Sequence, residues 1–465
     1  MSNDLDNKPW YDGITRYQWL VLIVACLGWI FDVFEGQIFV ASMRDAMPDL
    51  LGVKPDDPSV SGWNNWAFGS FLLGGAFGGI IFGMMSDRIG RTKTMMITIL
   101  FYSAFTCITA FAQQPWHMVV LRFFVAMGVG GEWAVASAMV AEVMPKRARP
   151  IASSIFHASS VFGTLLAVAA ITLLIGNEEL NANLAAKGID GWRVGFAIGV
   201  LPALLIVWIR FSLKEPDSWK AARERAKNDP SQRQGRLGEL FAKPQLRSTL
   251  VGVTLATVGL VTFWGIHIYG KNALMRNTQA EVLRIENIPT DADKSVKSEA
   301  FEKHKSKIKT SEMLSMTFNT VGGGLGLILF GTISNRLGRK GAFIMYHAVA
   351  FVMVIILFKV LIPNPETSNL TYMLFLPVFG FFTLGMHAGY AVYFPELYPT
   401  RLRGTGAGFC FNMGRLGTAA AFFFFGSLTV KLLPEQQALW LSPLYLVGLV
   451  VVLFGKETRG EELPD

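Results

Sequence analysis

Uncharged apolar stretches of about 20 residues, separated by short basic loops, recur along the whole chain, and nothing else limits its folding so sharply. At a rise of about 1.5 Å per residue, each stretch crosses a hydrocarbon core of roughly 30 Å as a helix. Twelve such helices are expected, over residues 17–40, 62–85, 94–112, 116–141, 150–175, 193–213, 248–270, 311–334, 341–362, 372–394, 405–430 and 437–455. Composition agrees: 52% of the 465 residues are hydrophobic and 16% charged, where a soluble domain carries about 25% charged residues. A soluble enzyme, a disordered scaffold and a secreted disulfide domain are thereby excluded. Cys26, Cys107 and Cys410 all lie in apolar stretches, so neither a disulfide framework nor a metal cluster is expected. The first apolar stretch is too long for a signal-peptide core. The expected fold class is an all-α membrane protein embedded in a lipid bilayer.

Lys and Arg positions set the orientation. Loops after even-numbered helices carry Arg88, Arg91 and Lys93; Lys146, Arg147 and Arg149; Arg336, Arg339 and Lys340; and Arg401 with Arg403. The linker 214–247 adds nine more basic residues, whereas the opposite loops carry Arg44, Lys54, Lys187 and Lys431. Both termini (1–16 and 456–465) and the linker are therefore expected in the cytoplasm, and the net charge of +8 reads as a topology signal rather than a nucleic-acid footprint. Segment 271–310, with nine basic and six acidic residues, falls on the outer side. It reads as a solvated cap whose second half forms a short surface helix, or as a lid over the site.

The chain is also written twice. Gly83, Asp87, Arg88, Gly90 and Arg91 recur as Gly331, Asn335, Arg336, Gly338 and Arg339, at an offset of 248. Glu142, Pro145, Arg147 and Arg149 recur as Glu396, Pro399, Arg401 and Arg403, at an offset of 254. Two six-helix bundles, 17–213 and 248–455, are expected, as alternating access about a midplane site requires. The glycines permit a tight turn, and Asp87 is placed to neutralise the positive end of a facing helix. Asn335 removes that charge from the second copy, so gating is expected to rest mainly on Asp87. Gly74, Gly75, Gly78, Gly79 and Gly83, and Gly322 with Gly326, make smooth faces for close helix approach.

These motifs resemble the major facilitator superfamily over essentially the whole chain. The Gly83–Arg91 segment is similar to its signature between helices 2 and 3, and Arg122, Gly128 and Gly130 to its helix 4 motif. Residues 214–219 and 456–460 resemble the sugar-porter and organic-ion branch. Asp32 with Glu35, and Gly130–Trp133, are similar to its sialate and lactate proton symporters. The resemblance implies a bacterial inner-membrane transporter, monomeric and free of cofactors. It also implies a cytoplasmic gate made by Asp87, Arg88, Gly90, Arg91, Glu142 and Arg147, with Asn335, Arg336, Arg339, Glu396 and Arg401 as the second copy.

Charges inside the apolar stretches point to the site. Each costs about 2.5–3.5 kcal/mol at a helix centre facing lipid, so Asp32, Glu35, Arg122, Glu132 and Arg415 must line a wet cavity or pair with one another. Asp32 and Glu35, three apart, share a helix face. Two carboxylates that close do not both ionise cheaply, as a proton carrier requires, or one of them anchors a neighbouring helix. Glu132 stands among glycines as a second coupling acid or as a partner of Arg122. Arginine does not release its proton, so Arg122 acts on a neighbouring acid or in packing. Arg415 offers the planar fork that matches a carboxylate. Asn412, Trp264, His267, Tyr390 and His387 would add rings and hydrogen bonds to a mostly apolar pocket. The expected activity is proton-coupled symport of a small organic anion. The alternatives are a sugar or polyol transporter and, from another class, a nutrient sensor with a transporter fold. No nucleophile–base spacing, phosphate loop or metal-ligand set argues for an enzyme.

Overall fold

The structure is a computed structural model that describes residues 9–55, 57–171, 173, 178–429 and 434–465. Lys431, residues 1–8 and the far end of the stretch expected at 150–175 lie outside them. The described residues are helical throughout, with no strand. In chain order the helices are α1 (Arg16–Leu51), α2 (Pro58–Ile89), α3 (Arg91–Thr109), α4 (Pro115–Val143), α5 (Arg149–Ala158), α6 (Ser160–Ala170), α7 (Glu178–Ala185), α8 (Gly191–Ala197), α9 (Ala203–Ser212) and α10 (Asp217–Asn228). There follow α11 (Lys243–Thr262), α12 (Ile268–Gly270), α13 (Ala273–Ile285), α14 (Lys294–Lys303), α15 (Lys305–Ile355), α16 (Asn369–Gly385), α17 (Ala388–Glu396), α18 (Arg403–Thr429), α19 (Pro434–Leu441) and α20 (Pro443–Leu453).

Helix ends follow local chemistry. Thr15 accepts from the Gln18 amide at 3.2 Å while the Gln18 side chain accepts from the Thr15 amide at 2.9 Å, a reciprocal cap that starts α1. Gly52, at φ 65°, ends it. Gly90, at φ 119°, turns α2 into α3, and its repeat Gly338, at φ 81°, bends α15 between the helices expected at 311–334 and 341–362.

Among the described residues, eight helical stretches are long and apolar enough to cross a membrane, against the twelve expected. Two of the four missing stretches have a geometric origin, and the other two, expected at 94–112 and 405–430, are helical as α3 and α18. Lys305–Leu361 runs through two expected helices, while the stretch expected at 193–213 is broken into α8 and α9. Segment 271–310 is more ordered than a loop. It folds as α13, α14 and the first turns of α15, with the Thr278 hydroxyl donating to Ser311 at 2.7 Å and Lys307 paired with Glu281 at 2.9 Å.

Two compact units make up the chain. The first comprises Met1–Thr257, Tyr390–Ala419 and Lys456–Asp465; the second comprises Val258–Gly389 and Ala420–Gly455. Each is built on a helix pair in backbone contact. In the first, a Cβ on Gly74 or Gly78 of α2 would lie 2.1 Å from the Phe123 carbonyl oxygen or 1.9 Å from that of Met127, both on α4. In the second, a Cβ on Gly322 or Gly326 of α15 would lie 1.9 Å from the Pro377 carbonyl or 2.2 Å from that of Phe381, both on α16. The glycines are 248 residues apart and their partners 254 apart. The offsets of the loop motifs therefore reappear in the packing. Around α2, Trp66, Leu73, Phe77 and Ile81 face outward while the glycines are buried, the arrangement of a helix with lipid on one side.

Candidate functional site

Within the first unit, the faces of α1, α2, α3, α4 and α18 bring together polar side chains that apolar helices do not ordinarily bury. Close approach is possible because glycines stand opposite them. A Cβ on Gly28 would lie 2.8 Å from Glu132 Oε1, one on Gly75 2.3 Å from an Arg415 terminal nitrogen, and one on Gly79 1.9 Å from the Asn412 amide nitrogen. Asn412 donates to the Gly130 carbonyl at 3.3 Å and to that of Gly408 at 3.0 Å.

The three acids have different partners. Glu35 is ion-paired with Arg122, whose guanidinium lies over the rings of Phe39 at 4.6 Å and Phe196 at 5.0 Å, and Thr106 donates to the same carboxylate at 3.2 Å. Arg122 is thus the partner of Glu35 rather than of Glu132. Glu132, fully buried, meets the Thr98 hydroxyl at 2.5 Å through Oε2, while its Oε1 has no hydrogen-bond partner. Asp32, 3% exposed, makes no close hydrogen bond among the described residues; the Tyr102 hydroxyl faces it, and Glu132, Glu35 and Arg415 are its charged neighbours. Arg415 lies 5.4 Å from the Phe411 ring and has one terminal nitrogen without a partner. Phe411 stacks on Trp133 at 3.9 Å, and Trp133 donates to His157 Nδ1 at 3.2 Å. A buried carboxylate and a buried guanidinium, neither in an ion pair among the described residues, each keep capacity to bind a further polar group.

The expected partners on the later helices separate. The chain passes through a π-helical turn over 263–267, which changes the angular spacing of side chains three apart. Trp264 is consequently 39% exposed, whereas His267 is buried, its Nδ1 2.8 Å from the Thr383 hydroxyl and its ring stacked on Phe263 and Phe379. His387 lies in the same second unit, its Nδ1 3.0 Å from the Leu384 carbonyl. Tyr390, in the first unit, spends its hydroxyl on the Leu255 carbonyl at 3.1 Å.

The loop motifs of the first unit form a second cluster. Asp87 accepts from Arg91 at 2.6 Å, from the Gly404 and Thr405 amides at 3.0 and 2.8 Å, and from the Thr405 hydroxyl at 2.5 Å. It therefore sits on the N-terminus of α18, as its charge invited. Glu142 pairs with Arg91 at 2.7 Å and Arg403 at 2.9 Å, all three side chains buried. The linker joins in: Glu215 accepts from the Arg91, Thr92 and Lys93 amides at 2.6, 3.2 and 3.2 Å, capping α3. Trp219 donates to the Asp87 carbonyl at 2.7 Å, and Arg88 to that of Gly235 at 3.0 Å. Arg401 pairs with Glu239, while Arg147 is exposed. The tail closes over the cluster, with Thr458 donating to Glu396 at 2.6 Å and Arg403 to the Pro464 carbonyl at 2.8 Å. In the second copy Arg339 donates to Asn335 at 3.3 Å and Arg336 is exposed. Thr98, Tyr102, Thr106 and Thr405 are among the members of these clusters that sequence reasoning did not single out.

Buried charge at mid-helix and a polar cluster at the helix ends lie in a chain whose apolar helices are long enough to cross a membrane. A sequence profile of the Major Facilitator Superfamily matches residues 25–422, and the chain belongs to that superfamily, whose members are membrane transporters rather than enzymes. Among relatives, it is 28% identical to the sialic acid transporter NanX of Escherichia coli over 89% of this chain and 87% of that one. It is 27% identical to the cis,cis-muconate transport protein of Acinetobacter baylyi over 84% and 85%. Among solved structures, the proton:xylose symporter XylE matches at a TM-score of 0.71 and 16% identity, covering 96% of this chain and 98% of that one, a likeness of fold.

Proposed function

We propose that the chain is a secondary transporter that carries a small organic anion together with a proton by alternating access, through twelve crossings in two six-helix halves. The observation that carries this reading is the buried Arg415 guanidinium with an unbonded terminal nitrogen, in the same unit as the buried carboxylates Asp32 and Glu132, neither of which has an ion-pair partner among the described residues. A substrate carboxylate engages the Arg415 fork, and the buried acids of α1 and α4 supply the proton site. The names of the two relatives, both of organic acids, support the substrate class. Asp87 and Glu142 with their arginines form the gate on the linker side, which the basic loops put in the cytoplasm.

Purified protein in liposomes loaded with a pH-sensitive dye tests the reading. N-acetylneuraminate, nicotinate, cis,cis-muconate and xylose are added in turn, with protein-free liposomes as the control for unaided weak-acid entry. Protein-dependent internal acidification by an acid is expected, and Arg415→Lys, which keeps the charge and loses the fork, raises the half-saturating concentration about tenfold. Acidification by xylose alone replaces the organic anion with a sugar. No acidification while labelled acid equilibrates removes the proton.

A further inference from the structure

One side chain of α5 reaches Arg415 through three successive contacts. His157 is buried, and its Nδ1 accepts from the Trp133 indole of α4 at 3.2 Å. Trp133 lies on Phe411 of α18, with ring centroids 3.9 Å apart and planes 19° from parallel. The Arg415 guanidinium, one helical turn further along α18, lies 5.4 Å from the Phe411 ring. All four residues belong to the first unit. Arg122 has a carboxylate and two rings to hold it. Arg415 is in no ion pair among the described residues, and Gly75 leaves room for one of its terminal nitrogens, so the Phe411 ring is the contact that orients it.

The first contact has one chemical sense. An indole N–H donates and does not accept, so His157 Nδ1 brings a lone pair and the neutral ring carries its proton on Nε2. Trp133 is fully buried and makes no other hydrogen bond among the described residues. Removing the lone pair therefore strands a buried donor, which costs more than the bond alone contributes. An indole turned toward another acceptor takes the ring stack under Arg415 with it. His157 is itself held from a further helix: the Trp29 indole of α1 donates to its carbonyl at 3.2 Å and lies 5.6 Å from its ring. Two tryptophans thus fix the imidazole, and the imidazole fixes the turn of one of them.

We propose that His157 is a positioning residue: by holding the Trp133 indole it fixes the Phe411 platform, and with it the aim of the Arg415 fork. This rests on the reading of Arg415 as the carboxylate anchor and goes beyond it by naming what aims the fork. In this role His157 touches neither the substrate nor Arg415. It acts through the ring stack alone. A guanidinium makes its two parallel bonds to a carboxylate only in a narrow range of orientations, so a fork free to swing binds an acid more weakly.

Uptake of labelled nicotinate and N-acetylneuraminate into proteoliposomes of the intact chain separates the half-saturating concentration from the maximal rate. His157→Leu fills the space without a lone pair. It is expected to raise the half-saturating concentration about fivefold and to keep the maximal rate within about twofold. His157→Asn, whose Oδ1 takes the place of Nδ1, is expected to bind within about twofold of the native protein, a rescue that a purely structural histidine would not show. Trp133→Phe keeps the stack and loses the donor, so it is expected to match His157→Leu, with the double variant no worse than either alone. Should His157→Leu not fold, His157→Gln, which carries its acceptor one bond further out, takes its place and is expected to bind more weakly than His157→Asn. Equal binding by the Asn variant and its comparison, or a lower maximal rate without weaker binding, overturns the proposal. So do additive effects of His157→Leu and Trp133→Phe, which would mean that His157 meets the substrate directly. Arg415→Lys in the same assay tells the two readings apart. Weaker binding there and none in His157→Leu sinks the positioning role alone; no change in either removes the carboxylate anchor together with the role built on it.

Discussion

Replacing Asp87 by Asn keeps the side chain's shape and removes its charge. In the structure three bonds run from this carboxylate to the start of α18: the Gly404 amide, the Thr405 amide and the Thr405 hydroxyl. Hydrogen bonds to an ionised group contribute about 1.5–3 kcal/mol and neutral ones about 0.5–1.5, so each bond weakens by about 1 kcal/mol and the three by about 3. A carboxylate at the positive end of a helix adds about 0.5–1 kcal/mol. The Arg91 contact is lost as an ion pair, but Arg91 retains Glu142 and contributes less to the difference. A latch weakened by about 3–4 kcal/mol opens on the order of 100- to 1,000-fold more often. Amide hydrogen exchange reads this directly, because the two amides that donate to Asp87 are those whose exchange the opening would release. Peptides covering 403–410 are expected to lose protection in Asp87→Asn, whereas Asp217→Asn, at an exposed pair with Lys220, leaves them unchanged. A change of less than about threefold in those peptides refutes the latch.

Glu142→Gln leaves Arg91 and Arg403 facing each other without their shared carboxylate, and the loss of one partner from a buried cluster costs about 3–5 kcal/mol. A fall in thermal midpoint in detergent is expected, and an unchanged midpoint denies the cluster a stabilising role. In the segment after α13, hydrogen bonds from Lys303 and His304 hold Glu286 below its usual range. A depressed carboxylate stabilises the fold above its unfolded value, about 4.3, and that contribution is lost as pH falls through the lower folded value. Hydrogen exchange of residues 273–303 is expected to accelerate, beyond its intrinsic pH dependence, only below about pH 4, and equal protection at about pH 6 and about pH 3 refutes the linkage.

The duplication was fully legible in the chain, since offsets of 248 and 254 read from loop motifs also relate Gly74 to Gly322 and Phe123 to Pro377 across the helix contacts. Loop motifs announce themselves because turns and charge clusters are local. Mid-membrane partners do not. The spacing of Asp32 and Glu35 puts them on one face of α1, but says nothing of which facing helix brings a cation, and Arg122 lies 87 residues further on. Thr98 gave no signal, because a threonine in an apolar helix ordinarily bonds its own backbone, as this one also does. The π-helical turn over 263–267 also left no signal, because residue composition alone does not mark where a helix changes its period. The break between the helices expected at 311–334 and 341–362 was legible, since Gly338, at φ 81°, leaves the helical conformation at that point.

Residues 456–465 reach further than their position in the chain suggests. Arg403 divides its guanidinium between Glu142 of the first half and the carbonyl of Pro464, while Lys146 reaches Glu462 at 3.2 Å and Arg225 reaches Asp465 at 3.5 Å. Substitutions at Glu462, Pro464 or Asp465 therefore act on the same arginine that holds the loop motifs together, and a change among these last residues reaches the Arg91–Glu142–Arg403 cluster without touching any of its members.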